Sequence, residues 1–241
     1  MTPDPWEAHA EWWQREFTEG VDPEYTEQIL PMIVEHLDAG SRVLDVGCGE
    51  GQVARVATEV KGCRVVGVDP AVTQVAEARR RGGGPTYLQG SAMALGVAAA
   101  SFDAAVACLV FEHIAEVDAA LDEVARVLRP GGRFLFLLNH PLLQTPNSGW
   151  IDDHMVDPPE QYWQLGPYLP EAETVEQVER GVFITFFHRP LSRYLNAAFE
   201  RGMVLERIEE PAPPPGFLDR APEYREAATI PRLLFLRFRR A

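Results

Sequence analysis

Apolar residues in this chain fall in short runs, and between residues 41 and 139 those runs alternate with stretches of helical periodicity. Val43, Leu44 and Val46 make a first run of strand length, and residues 52–60 follow as a helix. The order then repeats, with strand 64–68 and helix 72–81, a short strand 86–88, and strand 102–107 with helix 117–128. Arg129-Pro130-Gly131-Gly132 stops that helix, and residues 133–138 read as the fifth strand. Strands and helices alternating at this pitch predict a mostly parallel sheet covered on both faces. Ahead of it, residues 6–38 read as helical, with Trp6, Trp13, Phe17, Ile29 and Ile33 as apolar punctuation.

The alternation stops at residues 139–190, rich in Pro, Trp, Tyr and acids, where only 182–187 is an apolar run. It returns with helix 191–201, strand 203–208, a proline-rich loop from Pro211 to about Pro231, and strand 233–238. No internal repeat interrupts this order. The 241 residues suit one domain: a helical cap 1–40, a core 41–139, an insertion 140–190, and a C-terminal helix and strands 191–241.

Composition narrows the function classes. A hydrophobic share of 46% is that of a chain with a core. A formal net charge of -14 argues against a nucleic-acid partner, which calls for clustered cations. Lys61 is the only lysine, so nearly all positive charge is arginine. Cys48, Cys63 and Cys108 are odd in number, lack metal-ligand spacing and sit beside apolar runs, which predicts reduced, buried thiols and no zinc site. The acids and tryptophans of residues 1–16 do not resemble a signal peptide, and no apolar run is long enough to span a membrane. The expectation is a soluble, cytoplasmic protein, monomeric or homodimeric.

The candidate chemistry lies in Asp45-Val46-Gly47-Cys48-Gly49-Glu50-Gly51, between the first strand and its helix. That junction is where open α/β sheets bind nucleotide-like ligands. Position 52, where a dinucleotide-binding loop places its third glycine, is Gln52. Asp45 stands two residues before the first glycine, where a carboxylate suits a cationic group better than an anionic pyrophosphate. The second strand ends in Asp69, at the distance where an acid can accept bonds from ribose hydroxyls. Each acid also has a plainer use, as a cap for the helix nearby.

On these residues the chain resembles the class I S-adenosylmethionine-dependent methyltransferases of the small-molecule "methyltransferase 11" type. The resemblance implies a Rossmann-like, doubly wound α/β sheet, mostly parallel with an antiparallel last strand, and a lid insertion over the substrate. It implies S-adenosyl-L-methionine as cofactor, S-adenosyl-L-homocysteine as product, and methyl transfer to a small organic acceptor, at oxygen. Asp45 would order the methionine amino group, with backbone atoms of Gly47, Cys48 and Gly49 beside it. Asp69 would hold the ribose, and Pro70 would pack on adenine. In Gly90-Ser91-Ala92-Met93 many relatives carry an acid that bonds the adenine amino group; here Ser91 replaces it, followed by Ala92 and by Met93 on the adenine face or in the core. Cys108, Leu109 and Val110 would face the sulfonium with their backbone, and Glu112-His113 matches a pair common in the family.

Methyl transfer mainly needs an aligned nucleophile and exclusion of water, and a base only for a high-pKa acceptor. His140, directly after the fifth strand, is the first candidate for such a base, and His113 is a positioning residue near the cofactor. His188 and His154 in the insertion are weaker candidates, and His9 and His36 are expected in solvent. Asp152, Asp153, His154 and Asp157 invite a metal site, but neighbouring side chains diverge, so none is expected. Trp12, Trp13, Trp150, Tyr162, Trp163 and Tyr168 suit walls for an organic acceptor, cationic amines included. Arg189 and Arg193 point instead to a carboxylate or phosphate, and the sequence leaves the two open. Two other classes stay in view: a nicotinamide-dependent oxidoreductase, disfavoured by Gln52 and Asp45, and a non-catalytic S-adenosylmethionine-binding protein.

Overall fold

In the computed structural model, residues 5–220, 222 and 228–241 are described. Strands β1 (Arg42–Val46), β2 (Arg64–Asp69), β3 (Thr86–Gln89), β4 (Phe102–Cys108) and β5 (Leu128–Asn139) pair in parallel in the order 3-2-1-4-5. Helices α4 (Gln52–Lys61), α5 (Val72–Arg81) and α6 (Val117–Val127) make the crossovers. After α7 (Leu191–Glu200), strand β10 (Met203–Glu209) lies at the outer edge. Strand β11 (Leu233–Arg240) inserts antiparallel between it and β5. The expected antiparallel last strand is therefore present.

Period-two alternation explains the two cores. In β5, Phe134, Phe136 and Leu138 point into one layer with α6 and α7, while Leu135 and Leu137 point into the other. That second layer is covered by α4, α5 and α3 (Leu30–His36), through Val53, Ala57, Val75 and Ile33. Strand β11 divides the same way, Leu234, Leu236 and Phe238 against Leu233 and Phe235. Burying each of these Phe or Leu side chains contributes about 1.5–3 kcal/mol relative to exposure.

Two regions differ from expectation. The N-terminal part is not one helix over 6–38 but α1 (Pro5–Ala8), α2 (Ala10–Glu16), a π-turn (Tyr25–Ile29) and α3. The chain breaks between α2 and the π-turn, where Gly20 takes φ +81° and Pro23 follows. The weakly periodic insertion folds as two antiparallel hairpins, β6 (Gly149–Asp153) with β7 (Glu160–Gln164) and β8 (Ala172–Glu179) with β9 (Val182–His188). Trp150 sits opposite Trp163 in the first, ring centroids 5.6 Å apart edge to face. In the second, Val182, Ile184 and Phe186 of β9 are buried, while β8 faces solvent along most of its length. The proline-rich loop contains a short helix, α8 (Pro215–Arg220), and part of that loop lies outside the described residues.

His36 is not in solvent, contrary to expectation. It is buried and stacks on Phe235 at 4.6 Å; its Nδ1 accepts from Arg237 and its Nε2–H donates to Glu209. Among the described residues, no helix is long and apolar enough to cross a membrane.

Candidate functional site

The carboxyl ends of β1, β2 and β4 open into a cleft of about 460 Å³. The glycine loop is folded back on β2, because Gly47 and Cys48 N–H both donate to the Val68 carbonyl, at 2.8 and 3.1 Å. Gly47 has φ +71°, and a Cβ there would stand 2.5 Å from a methyl of Val110, so the loop can approach β4 this closely only with glycine. Asp69 holds the loop from the other side: one oxygen accepts Gly49 N–H and the other Ala71 N–H, both at 2.9 Å. It ties the loop to the backbone just ahead of α5.

Two acids are buried beneath this loop, with different fates. Glu50 is matched by Arg55 and Arg81, at 2.5 and 2.8 Å. Asp45 is 1% exposed and its Oδ2 has no hydrogen-bond partner. Burial, with neighbouring Asp69 adding to it, pushes the Asp45 carboxyl up to about 7, although a bond from Ala54 N–H opposes the shift. A buried oxygen of this kind is a socket for a cationic group.

All eleven residues expected around a cofactor line this one cleft: Asp45, Gly47, Cys48, Gly49, Asp69, Pro70, Ser91, Ala92, Met93, Cys108 and Leu109. Met93 is 42% exposed, so the core alternative does not apply to it. Ser91 Oγ accepts the Met93 N–H at 3.2 Å, which fixes the turn after β3. Burial pushes the Cys48 and Cys108 thiols well up, and all three cysteines are free and buried. Leu109 follows β4 at φ +56°, a left-handed conformation that a leucine adopts only under constraint; its N–H is held by the Leu137 carbonyl at 2.9 Å.

His113 closes a 3-10 turn (Phe111–His113) on the same wall. Its Nδ1–H donates to the Thr185 carbonyl of β9 at 2.9 Å, leaving Nε2 as the acceptor nitrogen. The ring packs between Trp6 and Phe186, centroids 4.8 and 4.6 Å away. Burial lowers its pKa to about 4, so the imidazole is neutral at physiological pH. Its neighbour Glu112 turns the other way, under β5, where one oxygen accepts both N–H groups of Asn139. Burial pushes the Glu112 carboxyl up to about 7.

His140 is not brought to the cleft. Its Nε2–H donates to Glu210 at 2.9 Å, its Nδ1 accepts Leu142 N–H at 3.1 Å, and its own N–H bonds Arg232 O. Both ring nitrogens are engaged in tying the chain after β5 to the segment before β11, so the side chain is no acceptor-facing base. Arg189 and Arg193 are also committed: Arg189 donates to the carbonyls of Phe111, Ile114 and Ala115, and Arg193 pairs with Asp118 and Glu171. His188 is buried against the Tyr168 carbonyl, and His154 is exposed. Asp152 accepts from Gln161 and Asp153 from Met155 N–H; no group of three or more potential metal ligands converges among the described residues.

A second cavity of about 650 Å³ lies beyond. It shares Trp6, Trp13, Tyr25, Leu109 and His113 with the first, and its remaining walls come from both hairpins, the N-terminal segment, the chain between β5 and β6 (Leu143, Gln144) and Arg232 ahead of β11. That segment is strapped down by Glu7, whose carboxylate accepts the Thr73 hydroxyl at 2.6 Å and the Thr73 N–H at 3.1 Å. These bonds hold the Glu7 carboxyl below its usual range. Trp12 Nε1–H reaches Glu179 of β8 at 2.5 Å, and Gln14 bonds Gln74 of α5. Sequence reasoning did not assign Trp6 or Tyr25 to the site; the aromatic density of the first helices was its only signal.

Residues 44–136 match the methyltransferase-domain family. An O-methyltransferase of Aspergillus sclerotiorum is 33% identical over 133 residues, 52% of this chain and 50% of that protein. A malonyl-[acyl-carrier protein] O-methyltransferase of Enterobacter lignolyticus is 36% identical over 96 residues, 40% of this chain and 38% of that protein. The matched region thus spans about half or less of these curated relatives. The crystal structure of an S-adenosylmethionine-dependent methyltransferase from Mesorhizobium loti superposes with a TM-score of 0.74 at 29% identity, covering 87% of this chain and 96% of that one.

Proposed function

We propose that this chain, a class I S-adenosylmethionine-dependent methyltransferase by its domain and its fold, transfers a methyl group to oxygen of a small organic acceptor held in the second cavity. The observation that carries this is the unpartnered Oδ2 of Asp45, buried under the glycine loop at the end of β1. The cofactor carries an ammonium, a ribose and an adenine, and the residues lining the cleft fit each. Asp45 takes the ammonium, and the close-packed glycine loop admits the methionine chain. Asp69 takes the ribose, since a carboxylate oxygen already bonded to one N–H keeps capacity for another donor. Pro70, Ala92 and the exposed Met93 flank the adenine, with Ser91 at its edge.

When bound, the cofactor supplies an electrophilic methyl group. The protein contributes orientation and dryness. Leu109 and His113 stand on the wall common to both cavities, where they would lie beside the acceptor oxygen and the cofactor's methyl end. His113 presents a neutral Nε2, which accepts a hydrogen bond from an acceptor hydroxyl and aims its lone pair. With a pKa near 4 it is a weak base, so orientation is its main contribution. Trp6 and Trp13 exclude water from the junction.

The test is calorimetric titration with S-adenosylmethionine, S-adenosylhomocysteine and NAD, followed by an acceptor screen of phenols, carboxylic acids and amines. Binding of the first two but not NAD, with S-adenosylhomocysteine release and a product methylated at oxygen, is the expected result. Binding without turnover on any acceptor would favour a non-catalytic cofactor-binding protein.

A further inference from the structure

We infer that the second cavity selects its methyl acceptor by charge, taking a flat organic molecule that carries a cationic nitrogen and rejecting anionic ones. This rests on the methyl-transfer reading above and adds the substrate class.

The walls supply flat faces. Trp12, Trp13, Trp150, Trp163 and Phe186 come from four separate elements and converge on one space. Such surfaces bind planar molecules, and their negative π faces attract cations.

The charged groups set the sign. Four carboxylates line the cavity, Asp22, Glu24, Asp152 and Glu176, against one arginine, Arg232. Arg232 is an unsuitable anchor for an anion, because its Nε donates to Glu24 at 3.1 Å and its guanidinium lies over the Phe217 ring at 4.2 Å. Asp22 accepts Glu24 N–H and feels Arg220 and Arg232 at longer range. Asp152 and Glu176 have only neutral donors among their hydrogen-bond partners, Gln161 for the first and Gln144 and Thr174 for the second. Neither belongs to the wall shared with the cofactor cleft, so an ammonium beside them leaves the acceptor oxygen free to reach His113. Arg189 and Arg193, the cations that could have favoured an anionic acceptor, are spent on backbone carbonyls and on Asp118 and Glu171. A net charge of -14 over the whole chain adds to the same field.

The experiment uses the full chain saturated with S-adenosylhomocysteine and three probes on one scaffold: tyramine, para-ethylphenol and para-hydroxyphenylpropionate. Tryptophan fluorescence reads their binding, since the wall indoles report directly. At low ionic strength tyramine should bind at least about tenfold tighter than the carboxylate, with the neutral phenol between them. Added salt should shrink that ratio. Asp152→Asn together with Glu176→Gln should lower the ratio by about threefold or more while leaving S-adenosylhomocysteine affinity unchanged. Equal affinities, tighter binding of the carboxylate, binding of none of the three, or a ratio untouched by the double variant would overturn the charge selection. Failure of S-adenosylhomocysteine itself to bind would be a different result, sinking the methyl-transfer reading at its root.

Discussion

Replacing Asp45 by asparagine removes a charge that the empty protein holds at a disadvantage. Its carboxyl has a pKa raised from 3.8 to about 7, so the folded chain binds the proton more tightly than the unfolded chain does. Stability from this group is therefore fully present below pH 3.8 and declines as pH rises through about 7. Each unit is worth about 1.4 kcal/mol, and at 1% exposure solvent screens little of it, so the ionised carboxylate destabilises the ligand-free fold by about 4 kcal/mol at pH 8. Between pH 5 and pH 8 the loss is about 3 kcal/mol. Asp45→Asn keeps the shape and lacks this slope. Its amide must find partners of its own, which offsets part of the absolute gain. The difference between the two pH values is free of that term. Glu112, also pushed up to about 7 by burial, slopes in the same direction but cancels between the two proteins.

Thermal unfolding without cofactor is the assay. Relative to wild type, the Asp45→Asn midpoint should rise by about 6–12 °C on going from pH 5 to pH 8, given about 2–4 °C per kcal/mol for a chain of this size. In the proposed complex the same residue must be ionised to meet the ammonium. Wild-type affinity for S-adenosylmethionine should then climb about tenfold between pH 5.5 and 7, whereas the variant binds weakly with no such climb. The loss at pH 7 should be at least about tenfold, as expected for a charge-assisted bond worth about 1.5–3 kcal/mol. Parallel stability curves for the two proteins, or a variant that binds the cofactor as wild type does, would refute the reasoning.

Other perturbations separate the remaining roles. His113→Asn should slow transfer by about 10–100-fold with cofactor affinity little changed, and the wild-type pH profile should show no imidazole limb between pH 6 and 8 because that ring titrates near 4. A limb in that window that disappears in the variant would make His113 the general base instead. His140→Ala should leave the transfer rate within about twofold while lowering stability by about 1–2 kcal/mol, as Glu210 and Leu142 N–H lose their partner; a large rate loss in a stable variant would return it to the mechanism. Gly47→Ala should destabilise the fold by about 2–4 kcal/mol, through its positive φ and the contact with Val110, and Val110→Ala should rescue only the steric part. Denaturant titration of the two single variants and the double variant measures that coupling.

What the sequence revealed depended on how local the determinants were. Strands buried on both faces appear as unbroken apolar runs, and the glycine loop carries its conformation in its own residues, so β1 to β5 and the cofactor cleft were readable. Strand β8 was not. Its residues Glu173, Val175 and Gln177 are exposed, and pairing with β9 rather than burial makes it a strand. The break in the N-terminal helix was signalled by Gly20 and Pro23 and lay within reach of the same rules. His140 failed for a different reason. Its ring is held between Leu142 N–H and Glu210, and its backbone by Arg232; two of these three partners lie far along the chain, so the Asn139-His140 pair alone does not show which way the ring turns. The second cavity is likewise a product of assembly, since its walls meet only when the two hairpins and the first helices dock.

The placement of β11 bears on how the protein is made. Translation proceeds from β1 onward, yet the strand that seals β5 against β10 is the last of the sheet to be synthesised. Until Leu233–Arg240 has left the ribosome, the nascent chain carries a parallel half-sheet whose final strand, with Phe134 to Leu138, has an open hydrogen-bonding edge. Such an edge templates pairing with other chains. The vulnerable interval runs from the emergence of β5 to the arrival of β11, roughly a hundred residues later and several seconds at ordinary elongation rates. Chaperone demand during production should therefore peak late in translation, and premature termination anywhere before β11 should yield an aggregating product rather than a smaller folded one.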